Sequence, residues 1–294
     1  MDLHLLGSFV AVAEEQHVGR AAVRLRIAQP ALSRRIQQFE HELGVELFIR
    51  RGRSLRLSPA GSALLTDARA ILSAGERAAQ HARDAAGGIA GRLRIGLVEV
   101  SAIGGVPSDI IRRFRDGHPA VALDLHPMIS YEQWPLLRER RLDLGFLYWA
   151  PDEPWVATRK VAADGVLLAL PADHPLATRQ RIRLRDLAGE SFIQMPRWRS
   201  PLYHDQVMAA TMRGGLHLRV VQEVAQEIGV LGLVASGVGV AIVVASWSNV
   251  QPKGVVLREI TDLRVPLALW ACWRRDDGDP LLKALLETIK ATVL

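Results

Sequence analysis

Within the segment Pro30–Leu43, Ser33, Arg34 and Gln37 supply a hydroxyl, a guanidinium and an amide, with Pro30 beside them. A helix advances about 100° per residue, which brings these positions onto one side. A guanidinium, an amide and a hydroxyl are the groups that bond base edges and phosphates of DNA. The element that must carry them is legible from the other side of the same segment. Leu32, Ile36, Phe39 and Leu43 recur at steps of four, three and four, a narrow apolar stripe that predicts a helix with one buried face.

Ahead of it, Gly19–Leu25 reads as a short alanine-rich helix, and Arg26-Ile27-Ala28 as a tight connection. Helix, short turn, helix is the arrangement that presents a second helix to a major groove. Periodicity alone is met equally by a helical hairpin with a solvated polar face. Beyond the second helix, Leu47–Leu57 reads as an arginine-studded hairpin turning at Gly52, shaped to act as a wing over a phosphate strand or minor groove. Between Arg20 and Ser58 nine arginines face three glutamates, so the whole formal charge of +6 is matched by this segment alone. Local excess of this kind is the electrostatic footprint of a polyanion partner.

Ser58-Pro59 is a serine N-cap with proline at the first helical position, and predicts a helix running to about Ala86. Its stripe Leu64, Ala68, Ile71, Leu72, Gly75, Ala79, Ala82 and Ala86 is rich in small residues and suits close approach of a helix, from a second subunit or from its own chain. After Gly87-Gly88 and Gly91 the pattern changes to alternating strands and helices, twice over, from Leu93 to Leu147 and from Gly165 to Val244. Alternation predicts two α/β lobes with a mainly parallel sheet, and a ligand cleft between the lobes.

Several classes are disfavoured. Cys272 is the only cysteine, so neither an intrachain disulfide nor a cysteine metal cluster forms, and its apolar run predicts a buried strand thiol. No cofactor or metal is expected. The uncharged stretch Ile228–Gln251 is broken by Gly229, Gly232, Gly237 and Gly239, and reads as helix, turn and strand rather than a membrane span. Met1–Ala13 lacks a basic leader region and reads as an amphipathic helix, so a cytoplasmic protein is expected. Catalytic motifs are missing: there is no phosphate-binding glycine loop, no H-E-x-x-H and no G-x-S-x-G, so an enzyme is not expected.

The run Phe9–Glu15, then Arg20-Ala21-Ala22, Ala28–Ile36, Leu43-Gly44, Leu47-Phe48, Arg50 and Ser58–Gly61 resembles the LysR-type transcriptional regulators. Gly91–Gly96, Arg113-Phe114 with His118-Pro119, Arg141–Gly145, His174–Ala177 and Leu233–Val240 are similar to that family's effector-binding domain, so the resemblance spans essentially the whole chain. It implies an all-α winged helix-turn-helix and a linker helix, followed by a two-lobed α/β domain like the periplasmic binding proteins. Expected boundaries are 1–58, 59–88 and 91–294, with lobe I at about 91–161 and 267–294 and lobe II at about 162–266. The implied partners are double-stranded promoter DNA, a small-molecule effector, a second copy of the chain in a dimer or tetramer, and RNA polymerase.

Carried over by position, the DNA contacts fall on Gln29, Pro30, Ser33, Arg34, Gln37, Arg50, Arg53 and Ser58. Ala28 departs from the family, which often has serine there; the loss of an N-cap costs about 1 kcal/mol. For the effector the resemblance points to Ser101, Ser130, Tyr148, Leu202 and Glu227. Ser101 and Ser130 follow strands and are expected at helix N-termini, Ser130 with Gln133 at capping-box spacing; anion binding and plain capping both account for them. Tyr148 stands where the family commonly has arginine, which leaves room for an aromatic or less charged ligand as well as a carboxylate. The competing expectation is a small-molecule-binding protein without a DNA function.

Overall fold

The computed structural model describes residues 2–51, 54–86, 90–250 and 253–293. The chain divides into two compact units, Met1–Gly88 with Arg138–Arg141, and Ile89–Leu137 with Leu142–Leu294.

The first unit opens with α1 (Leu3–Glu15), capped by the Asp2 carboxylate, which accepts from the His4 N–H at 2.7 Å. Two shorter helices follow, α2 (Val18–Leu25) and α3 (Gln29–Leu43), then the antiparallel pair β1 (Phe48–Arg51) and β2 (Ser54–Leu57), and α4 (Pro59–Ala86). The core is built from Leu5, Leu6, Phe9 and Val12 of α1, Ala21 and Ala22 of α2, and Leu32, Ile36 and Phe39 of α3. Phe9 is its hub, with ring centroids 6.1 Å from Phe39 and 5.5 Å from Phe48. Leu43 departs from the expected stripe: it lies in the last turn of α3 and is exposed. Along α4, Leu64, Ala68, Ile71 and Leu72 pack into this same core, and Gly75 abuts Leu3, so the first half of that stripe is used within the chain. Ala79, Ala82 and Ala86 remain exposed.

In the second unit, lobe I holds β3 (Gly91–Leu97), α5 (Glu99–Ile103), α6 (Val106–Gly117), β4 (Val121–Pro127), α7 (Ser130–Arg138), β5 (Leu144–Leu147) and β6 (Val156–Asp164). Lobe II contains β7 (Val166–Pro171), β8 (Ser191–Gln194), α8 (Pro201–Arg213), β9 (Arg219–Glu223), α9 (Glu227–Ala235), β10 (Ala241–Val244) and β11 (Val255–Arg258). The chain then returns to lobe I through β12 (Leu267–Arg274) and ends with α10 (Pro280–Val293).

Lobe I is a five-stranded sheet in the order β4-β3-β5-β12-β6, with β3 parallel to both β4 and β5. Expectation of a mainly parallel sheet fails beyond that point. β12 runs antiparallel to β5 and β6, because a strand returning from the other lobe enters without a crossover helix. In lobe II, β7 is antiparallel to β10 and β11, and only β8 and β9 form a parallel pair. Cys272 sits buried in β12, where burial pushes its thiol up to about 12 and leaves it unreactive.

One buried side chain fixes the junction of α7 with this sheet. Gln133 is fully buried and donates to the carbonyls of Met128 and Phe146, at 3.3 and 3.1 Å. It fits because Gly96 and Gly145 lie beneath it: a Cβ at Gly96 would come within 2.7 Å of its carbonyl oxygen.

Candidate functional site

The helix pair α2–α3 turns on Arg26, which adopts a left-handed conformation with φ 55°. Its N–H and that of Ile27 close the end of α2 on the carbonyls of Val23 and Ala22. α3 then begins from Ala28, which has the extended backbone of a cap but no side chain to offer. On the face away from the core, Gln29, Pro30, Arg34 and Gln37 are exposed and Ser33 is half-buried. The expected reading face is therefore assembled on one side of a single helix. Arg35 is half-buried on its flank.

The arginines of this unit divide by partner. Arg24 pairs with Glu14 at 2.7 Å, and Arg20 bonds the Glu15 carbonyl and lies 3.4 Å from its carboxylate, so both are matched by α1. Among the described residues, Arg26, Arg34, Arg35 and Arg56 make no ion pair. Unmatched guanidinium groups beside a polar helix face are the arrangement that phosphate contacts require.

Glu40 positions the wing, a role that sequence reasoning missed. Its carboxylate accepts from the N–H groups of Leu47 and Phe48, at 2.8 and 3.2 Å, tying α3 to the start of β1. A glutamate eight residues before a strand gives no pattern signal. Arg50 lies on β1, paired with Leu55. Arg53 and Gly52, the expected turn position, lie outside the described residues.

Ser58 has a structural task. It is 5% exposed, its hydroxyl donates to the Glu46 carbonyl at 2.6 Å and accepts from the Gly61 N–H at 2.9 Å. Its hydroxyl caps α4 and holds the wing strand, which leaves one acceptor lone pair and little exposed surface.

In the second unit two adjoining cavities occupy the cleft between its lobes. The inner one, of about 170 Å³, is lined by Glu99, Ser130, Tyr148, Arg199, Tyr203 and Glu227 among others. The outer one, of about 520 Å³, shares Ser130, Tyr148, Arg199 and Tyr203, and adds Tyr131, Trp149, Lys160, Leu202 and Trp270. Four of the five expected effector residues, Ser130, Tyr148, Leu202 and Glu227, thus meet at this cleft.

Ser101 does not join them. It lies inside the first turn of α5, 3% exposed, with its hydroxyl donating to the Val98 carbonyl at 2.8 Å. Ser130 is at a helix start as expected, but Gln133 is turned into the sheet and makes no capping box. Glu132 reaches back to the Ile129 N–H instead, and the Ser130 hydroxyl accepts from the Tyr148 N–H at 3.2 Å.

Tyr148 and Glu227 are both shifted by their surroundings. Burial, with the negative charge of Asp164, pushes the Tyr148 phenol far above its ordinary range, so it stays protonated and donates to Asp164 at 2.8 Å. Burial also raises Glu227 to about 7, with Glu99 and Asp164 adding repulsion, against a hydrogen bond from the Trp247 indole at 3.0 Å.

No group of histidine, cysteine and carboxylate side chains among the described residues could hold a metal ion. Among the same residues no helix is long and apolar enough to cross a membrane.

Two family models match the chain: "Bacterial regulatory helix-turn-helix protein, lysR family" over residues 3–62, and "LysR substrate binding domain" over residues 86–293. The uncharacterized HTH-type transcriptional regulator YnfL of Escherichia coli is 36% identical, covering 93% of this chain and 92% of its own. The HTH-type transcriptional regulator TfdS of Cupriavidus pinatubonensis is 33% identical over 99% and 98%. Full-length CbnR, solved in complex with its target DNA, is similar in structure with a TM-score of 0.73, 27% identity, and coverage of 99% of this chain and 100% of that one. Both halves of the chain, the helix-turn-helix with its unmatched arginines and the two-lobed unit with its cleft, are accounted for by one assignment: this protein belongs to the LysR family of DNA-binding transcriptional regulators.

Proposed function

We propose that the chain reads promoter DNA through Gln29, Pro30, Ser33, Arg34 and Gln37 of α3, with Arg50 and Arg53 on the wing, and that a small molecule in the inter-lobe cleft modulates this binding. The observation that carries the DNA contacts is the face of α3, where exposed polar side chains lie beside arginines that pair with no carboxylate among the described residues. Division of labour follows the segments 1–58 for DNA reading, 59–88 for self-association and 91–294 for sensing, with lobe II at about 162–266. Exposed Ala79, Ala82 and Ala86 at the far end of α4 support self-association, since small residues admit a close helix neighbour. Ser130, Tyr148, Leu202 and Glu227 line the sensing cleft, whose ligand is an aromatic metabolite or one bearing a carboxylate. The protein acts in the cytoplasm as a regulator rather than an enzyme, in contact with RNA polymerase.

Fluorescence-polarisation titration of the DNA upstream of the protein's own gene, at two salt concentrations, tests the reading. Wild type should bind with an affinity that falls steeply with salt through counterion release, and Ser33→Ala/Arg34→Ala should lose sequence-preferring binding. Equal affinity for promoter and random DNA in wild type and variant alike would refute the assignment of α3.

A further inference from the structure

The two compartments of the cleft differ in chemistry, and the difference specifies a ligand. Glu99 of α5 and Glu227 of α9 bring carboxyl groups to the inner compartment from opposite lobes. Asp164 stands behind Tyr148 and accepts from the Tyr148 hydroxyl, the Ser246 hydroxyl at 2.5 Å and the Gly165 N–H at 2.8 Å. Glu227 has one oxygen on the Trp247 indole; Glu99 makes no hydrogen bond or ion pair among the described residues. Arg199 is the inner wall's cation, and it is already matched: it donates to Glu132 at 2.9 Å and to the Ala225 carbonyl at 3.0 Å.

A carboxylate placed here would meet two carboxyl groups and one neutralised arginine. A nitrogen group that donates hydrogen bonds would instead relieve the repulsion between Glu99 and Glu227. The outer compartment sets aromatic faces beside one cation, Lys160: Trp149 is 43% exposed and Tyr131 60% exposed, and the Trp149 ring is braced on Trp134 with centroids 4.4 Å apart. Indole and phenol faces take flat rings and favour positive over negative charge.

Resting on the reading of the cleft as a sensing site, we propose that its ligand joins a cationic or hydrogen-donating nitrogen group, held between Glu99 and Glu227, to a flat aromatic body held against Trp149 and Tyr131. The titratable and charged groups that share cavity walls with Glu227 are Glu99, Tyr148, Arg199, Tyr203 and His204, with Asp164 behind Tyr148. Since Glu227 is raised to about 7, a cation there requires the carboxylate and displaces its proton.

Full-length protein titrated with benzamidine, benzamide and benzoate, three probes of one shape and different charge, tests the proposal by calorimetry. Benzamidine should bind at least about tenfold more tightly than benzoate, and more tightly at about pH 8 than at about pH 6, with benzamide insensitive to pH. Glu227→Gln should erase the pH dependence and most of the preference for benzamidine. Trp149→Ala, at an exposed position, should weaken benzamidine and benzamide alike. A preference for benzoate, or a benzamidine affinity independent of both pH and Glu227, overturns the ligand class and leaves the cleft as the sensing site. Failure of all three probes to give a saturable signal overturns both.

Discussion

Glu227 carries a charge that the folded chain accommodates poorly, which makes it a probe of its own surroundings. Burial, with Glu99 and Asp164 nearby, raises its carboxyl in the folded chain to about 7 from an ordinary value of 4.5. Below the unfolded value both states are protonated and nothing is lost. As pH rises through the interval between the two values, the unfolded state releases its proton first and is favoured. Above about 7 the full penalty applies, at most about 3 kcal/mol for a shift of this size. Glu227→Gln should therefore stabilise the protein in urea denaturation at pH above 7 and leave it nearly unchanged near the unfolded value. A variant equally or less stable at both would show that the carboxyl is not under strain. Residue types carried this site only partly in the sequence. Ser130, Tyr148, Leu202 and Glu227 were legible through resemblance, whereas Glu99, Arg199 and Trp149 were not, because residues far apart in sequence become neighbours at the cleft only in the fold. Ser101 misled for the opposite reason: its hydroxyl serves the carbonyl three residues back, a local bond that no sequence spacing distinguishes from a ligand contact.

At the level of elements, sequence pattern found the four helices of the first unit but gave no sign of α10, and capping chemistry bears on where two of the helices begin. α4 begins where Ser58-Pro59 says it must, since the hydroxyl meets the Gly61 N–H. α3 begins without such a bond at Ala28, an exposed position with extended backbone. Ala28→Ser should therefore raise stability by about 1 kcal/mol in chemical denaturation, the usual worth of a side-chain cap. No gain would mean that the helix start is held by the α2–α3 turn alone. Gly61 makes the converse prediction. A Cβ there would be driven into the Leu47 carbonyl, backbone that cannot yield without moving the wing strand from α4. Gly61→Ala should cost about 1–3 kcal/mol and weaken DNA binding with it, and a neutral result would show that the wing moves freely. Strand direction was the part the sequence concealed. Alternation of strands and helices suggested parallel sheets, but the sense of β7 and β12 depends on which lobe the chain leaves, and that is not written in any local pattern.

Over the whole molecule, the two functions are linked only if ligand and DNA favour the same conformations. An effector shifts DNA affinity by no more than its own difference in affinity between the states, and the linkage is reciprocal. Whatever factor a saturating effector imposes on promoter binding, saturating promoter DNA must impose on effector binding. Benzamidine provides the immediate case: a coupling of about 1–3 kcal/mol would change either affinity by about fivefold to 150-fold. Calorimetry with and without operator DNA, set beside fluorescence polarisation with and without benzamidine, should give one factor from both directions. Ser33→Ala/Arg34→Ala sharpens the comparison, because it removes the DNA arm and should leave benzamidine affinity in the absence of DNA unchanged. Equal factors near unity would mean that this ligand occupies the cleft without biasing the states that bind DNA, and that the effector must differ from the probe in the part that reaches across the lobes.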